Sequence, residues 1–292
     1  MRKVINDFWI FSSEFLEFIK HPTDSRIINY NIKKNVKYIG YILIIELLIS
    51  IIIIFPIISI LEWIEPIIET KRINYKESTL IYAIVGGVIV APIIEEITFR
   101  LILRYKLVIK KIIIRNTWDK IFKYLVYISI ILFGMVHISN YENNSVFFWC
   151  ISPIIVLTQL LGGAFLSFLR IRFNFLSGIL YHTLWNGFFL ILSLISSIIQ
   201  EPYTKQTSNY DLKIEYREYC SLKNQKFSMS ITENKIYDIE IKDYSINHLL
   251  DSVVHYKREA NDYLIEIQLN SKKGLTKQEF KELLLEYDRL KK

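Results

Sequence analysis

The chain has 292 residues, of which 52% are hydrophobic, and it carries a formal net charge of +7 with a mean hydropathy of +0.27. That apolar content exceeds an ordinary soluble domain's and is gathered in runs of Ile, Leu, Phe and Tyr before residue 200. A nucleic-acid partner is excluded, because the basic residues bracket hydrophobic runs instead of collecting on one folded face.

The first segment, Phe8–Ile19, sets Phe8, Phe11, Phe15 and Phe18 at helical spacing, which predicts an amphipathic helix at a membrane interface. Glu14 and Glu17 interrupt it, so no cleaved signal peptide is apparent. A helix needs about 20 apolar residues to cross about 30 Å of hydrocarbon. By that test, spans are expected at Tyr38–Leu61, Thr79–Leu103, Tyr124–Ser139, Val146–Leu169 and Phe175–Ile199, about five to six in all.

Seven Lys/Arg precede the first span and seven more fill the connection after the second, from Arg104 to Lys123. The connection after the first carries three and that after the third none. The positive-inside rule therefore puts the N-terminus in the cytoplasm and, with five spans, the tail outside. The Ile/Lys/Asn-rich usage suggests an AT-rich bacterial genome, hence a bacterial inner (cell) membrane.

Composition breaks at Glu201-Pro202. The expected architecture is an all-α polytopic membrane helix bundle with a C-terminal soluble α+β domain. Its parts are an N-terminal segment at 1–37, the bundle at 38–200 and the soluble domain at 201–292. In the tail, alternation predicts strands at Leu212–Arg217, Lys235–Ile241 and Tyr263–Leu269. Val253–Lys257 and Tyr263–Leu269 are expected to pair as a hairpin across Arg258–Asp262. Thr276, with Glu279 completing a capping box, opens a final helix carrying Phe280, Leu283, Leu284 and Tyr287 on one face. Cys150 and Cys220 permit at most one disulfide and match no metal-ligand spacing.

Ionisable groups inside a span cost free energy and mark function by default. The second span holds Glu95, Glu96 and Arg100. Glu96 and Arg100 are i,i+4 neighbours in the favourable order, whereas Glu95 points about 100° away, so one arginine cannot easily neutralise both acids. Gly86, Gly87 and Pro92 upstream allow close helix approach and a kink. The third span ends with Phe133, Gly134 and His137, and the fifth stacks His182 and Asn186 one turn apart. Singly, each has a plainer reading: an interhelical lock for Glu96–Arg100, a helix–helix hydrogen bond for a histidine, glue for Asn186. Glu46 in the first span reads as bundle packing. Together, two carboxylates, an arginine, two histidines and an amide exceed what packing requires.

These residues resemble the CPBP family, the CAAX-protease and bacteriocin-processing membrane proteins related to the type 2 CAAX prenyl protease. Glu95, Glu96 and Arg100 match its Glu-Glu-x-x-x-Arg motif, Phe133 and His137 its Phe-x-x-x-His motif, and His182 and Asn186 its His-x-x-x-Asn motif. The likeness covers roughly residues 78–199 and leaves the tail unassigned. It implies an intramembrane endopeptidase acting on membrane-associated or CAAX-like proteins, with Glu95 as general base sharing a water with His137. His182 and Asn186 would then face the developing oxyanion, and Glu96 with Arg100 would hold the helix and tune the charge.

The expected partners are the lipid bilayer and a peptide or lipidated protein substrate. No cofactor is obligatory, although Glu95, His137 and His182 could hold a zinc ion. Counted from the predicted span ends, His137 lies roughly 7 Å deeper than Glu95 and His182, a mismatch that an earlier start to the third span would remove. The alternatives are a non-catalytic membrane scaffold or bacteriocin-immunity protein on the same fold, and a transporter or proton relay.

Overall fold

A computed structural model describes residues 2–27, 31–64, 79–141, 143, 145–220, 225–258 and 262–291. The chain divides into two compact units, one drawn from 1–69 and 88–186 and the other from 70–87 and 187–292.

The first helix, α1 (Arg2–Lys20), is longer than Phe8–Ile19. Its aromatic stripe does more than lie at an interface: Phe11 and Phe18 are wholly buried, and Phe15 stacks on Phe165 at 4.5 Å. Burying one such ring stabilises by roughly 1.5–3 kcal/mol, enough to fix α1 onto the bundle. The first span starts earlier than expected, because Asn31 caps α2 (Ile32–Ile49) by accepting a 2.8 Å hydrogen bond from Lys33 N–H. It continues through a π-helical turn at Ser50–Ile54 into α3 (Phe55–Ile64). The connection at 65–78, with its three basic residues, lies outside the described residues.

Thr79 caps the next span, where α4 (Leu80–Tyr82) leads through a π-helical stretch, Ala83–Val90, into α5 (Ala91–Arg100). Gly86 and Gly87 lie within that stretch, and Pro92, which has no N–H to donate, follows it in the first turn of α5. After α6 (Leu107–Ile112), α7 (Arg115–Val136) starts nine residues before Tyr124 and tightens into a 3-10 turn at His137–Asn140. The fourth span is broken: α8 (Val146–Ile155) contains Pro153 and yields at Val156 to α9 (Leu157–Arg172). The last span is α10 (Phe175–Ile199), as expected.

Among the described residues, five helices are thus long and apolar enough to cross a membrane. Their outward faces are apolar too; Ile44, Ile52, Ile81, Ile131 and Ile191 are all more than half exposed, the pattern of helices solvated by lipid. The core of this unit joins Phe11, Phe18, Tyr38, Trp118, Phe133, Phe165 and Phe168.

The C-terminal unit carries a five-stranded antiparallel sheet in the order β1-β2-β5-β4-β3. Its strands are β1 (Tyr203–Gln206), β2 (Tyr210–Arg217), β3 (Lys226–Thr232), β4 (Lys235–Ser245) and β5 (Leu264–Thr276). The three expected strands are present, extended, and joined by two that sequence reading missed, β1 and β3. The expected hairpin is wrong: Val253 belongs to α11 (Ile246–Val254), β5 pairs with β2 and β4, and residues 259–261 lie outside the described ones. Ser245 starts α11 by accepting a 3.0 Å bond from His248 N–H, and Ile246, Leu249, Leu250 and Val253 form its buried face. The final helix, α12 (Lys277–Lys291), opens on the expected capping box. Glu279 N–H donates to Thr276 Oγ1 at 3.2 Å, and Thr276 N–H to Glu279 Oε2 at 2.7 Å. Both helices share one core with the inward residues of the strands, Ile214, Ile241, Ile265 and Ile267 among them. Cys150 is exposed and Cys220 buried, and no disulfide joins them.

Candidate active site

All three motifs fall in the first unit, on α5, at the end of α7 and on α10. On α5, Glu96 and Arg100 are fully buried, and Arg100 Nη1 donates to Glu96 Oε1 at 2.8 Å. The guanidinium also lies 3.8 Å from the centre of the Phe133 ring, an arrangement that favours a cation with little water around it. Glu95, turned about 100° around the helix, makes no such pair and keeps 26% of its side chain exposed. Adjacent residues thus acquire different environments: Glu96 is locked to a cation and wholly buried, whereas Glu95 is partly exposed.

His182 on α10 lies between the two acids. Its Nε2 is 3.6 Å from Glu95 Oε2 and its Nδ1 is 3.5 Å from Glu96 Oε1. Both gaps exceed a made hydrogen bond, and Glu95 Oε2, Glu96 Oε2 and His182 Nδ1 are buried without hydrogen-bond partners. The approach of α10 depends on Gly178, one turn before His182, since a Cβ there would sit 2.8 Å from Glu96 Oε2. Gly163 on α9 works likewise, its missing Cβ clearing Phe133 at 3.1 Å and Arg100 Nη2 at 3.5 Å.

His137 ends α7. Its Nδ1 is 2.7 Å from the Phe133 carbonyl oxygen, which can only accept, so Nδ1–H donates and, whenever the ring is neutral, Nε2 is the acceptor. Its ring lies 4.9 Å from that of Phe133, which in turn lies 5.7 Å from that of His182. Asn186 follows His182 by one helical turn.

The structure therefore brings Glu95, Glu96, Arg100 and His182 into one cluster and connects His137 to it through the Phe133 ring. Sequence reading gave Phe133 no role beyond its motif, and it missed Gly163 and Gly178; a small residue one turn ahead of His182 was the available signal. It also missed Arg170, whose Nε donates at 3.0 Å to the Arg100 carbonyl and caps the end of α5. Glu46 is buried against Gly162, whose Cβ position lies 2.9 Å from Glu46 Oε1.

Among the described residues no three His, Cys, Asp or Glu side chains are arranged to hold a metal ion.

Residues 77–188, which contain all three motifs, match the family model described as type II CAAX prenyl endopeptidase, Rce1-like. The bundle carries a CPBP-family membrane protease domain. No curated protein and no solved structure matches the chain. The CPBP match covers the clustered carboxylates and histidines and leaves the C-terminal sheet outside it.

Proposed function

We propose that the protein is an intramembrane endopeptidase that cleaves membrane-associated or CAAX-like proteins with a water activated by Glu95. The observation carrying this reading is the unequal pair of acids: Glu96 is sealed against Arg100, and Glu95 alone of the two stays partly exposed while lying beside His182. Glu95 takes a proton from the water as its oxygen attacks the scissile carbonyl. His137, through its free Nε2, accepts the water's second hydrogen and orients it. His182 and Asn186 donate to the oxygen as it becomes negative, and Glu95 passes its proton to the leaving amine. Glu96 and Arg100 keep His182 oriented within a dry surround. The 3.6 and 3.5 Å His182 gaps tighten to hydrogen bonds in the substrate complex under this reading. No covalent intermediate is formed.

The C-terminal unit is proposed to be a soluble domain lying outside, and the N-terminus to be cytoplasmic. The test is cleavage of a panel of fluorogenic peptides, lipidated and plain, by the full chain in liposomes, with products identified by mass. Cleavage that survives a chelator is the expected result. Loss with chelator would overturn the metal-free mechanism. Failure to cut any peptide, together with uptake of a small solute, would favour a transporter.

A further inference from the structure

Four guanidiniums gather where two spans end. Arg104 lies four residues past the span Leu80–Arg100, Arg170 and Arg172 close the span Val146–Arg172, and Arg26 follows α1. Three of them satisfy backbone carbonyls. Arg170 donates to Arg100 and Leu101 at 3.0 and 3.3 Å, Arg104 to Ile171, and Arg172 to Ser25 at 2.7 Å. Carbonyls at helix C-termini lack intrahelical donors and carry partial negative charge, which explains why arginines are held there.

Backbone dipoles do not neutralise four full charges. Asp24 is the carboxylate in contact, bonded by Arg104 Nη1 at 2.9 Å, Tyr105 N–H at 3.2 Å and Trp118 Nε1–H at 3.2 Å. Arg115 also approaches it at 3.6 Å but is matched to Asp119. Glu14, the other acid acting on Arg172, is matched to Lys34, and Glu96, which acts on Arg170, is matched to Arg100. Arg104 is repelled by Arg26 and Arg172, and Arg170 by Arg104 and Arg26. Against Asp24, the four guanidiniums leave three positive charges unmatched. Arg104 Nε, moreover, is buried with no acceptor.

We propose that this cluster binds the phosphate of an anionic lipid headgroup. The ends of hydrophobic spans lie at headgroup level, where basic pockets between helices take phosphate-bearing lipids and each arginine contributes about 1 kcal/mol. Planar guanidiniums suit phosphate oxygens, which accept pairs of N–H bonds. The inference needs only that the spans lie in a bilayer and is independent of the hydrolytic mechanism.

The test uses the full chain in detergent. Native mass spectrometry counts bound phosphatidylglycerol against phosphatidylcholine, which presents the same phosphate beside a cancelling cation, with inorganic phosphate as a third probe. Arg26→Gln and Arg172→Gln are compared with Arg26→Lys, and each variant's melting curve is taken. Arg26 is exposed, so its variants keep the fold. The expected result is preferential binding of phosphatidylglycerol, weakened about fivefold by each Gln substitution and retained by Arg26→Lys. Equal binding of both lipids, or unchanged phosphatidylglycerol binding by Arg26→Gln, would overturn the site. Binding of inorganic phosphate with no lipid preference would overturn the lipid as its source.

Discussion

Replacing Arg100 by Met tests whether the buried ion pair organises the site. The substitution keeps an unbranched chain of similar length but removes the charge bonded to Glu96 at 2.8 Å and the cation over Phe133 at 3.8 Å. Removing one partner of a buried pair costs roughly 3–5 kcal/mol, because the other charge remains without water. At 2–4 °C per kcal/mol, typical of domains this size, the melting temperature should fall by roughly 6–20 °C. His182 Nδ1, 3.5 Å from Glu96, is the nearest substitute partner and sets the lower end of that range. The double variant Glu96→Gln with Arg100→Met leaves no buried charge behind and should recover part of the loss, with a coupling of about 0.5–3 kcal/mol. Intrinsic tryptophan fluorescence of the parent, the two single variants and the double variant in detergent reads this cycle. If Arg100→Met melts with the parent, or if the two losses simply add, the pair does not organise the site.

Gly178→Ala should lower both activity and melting temperature. It forces a methyl to 2.8 Å from Glu96 Oε2 at an overpacking cost of about 1–3 kcal/mol, whereas Gly40→Ala, with nothing within 4 Å, should change neither. In the C-terminal unit, hydrogen bonds from Thr276 hold the Glu279 carboxyl below its ordinary value of 4.5. A depressed folded value means that the stabilisation is full above pH 4.5 and is lost as pH falls through the lower folded value. Denaturant titrations of the full chain from pH 3 to 7 should show that loss, and Glu279→Gln should remove this part of the pH dependence. Asp24→Ala should strip the acceptor from Arg104, Tyr105 and Trp118. It should cost about 3–5 kcal/mol as a broken buried pair, read as an early first transition on melting.

The spans and motifs were legible because hydrophobic runs and i,i+4 spacing are local properties. The order Glu95, His137, His182 along the chain survives folding as one site region, with the carboxylates and His182 in direct proximity. That His182, and not His137, lies between the acids was not legible, since it depends on how closely α10 approaches α5, which Gly178 sets. The cluster around Asp24 was equally hidden, its partners lying 80 and 94 positions away. In the tail, Ser245 with Ile246, Leu249, Leu250 and Val253 did spell a capped amphipathic helix, and reading Val253–Lys257 as a strand overrode it. The alternation of Phe227, Met229 and Ile231 before Glu233-Asn234 likewise spelled a hairpin. Both turn residues adopt positive φ, 50° and 62°, the conformation of a two-residue turn joining β3 and β4.

The central claim is that Glu95 activates the attacking water, and Glu95→Gln tests it most directly. The amide matches the acid in shape but cannot take the proton. Against a peptide cleaved by the parent, the variant should lose about 10²–10⁴-fold in kcat with an unchanged melting temperature, since Glu95, unlike Glu96, is not locked in an ion pair. Cleavage at the parental rate by the folded variant would contradict the account.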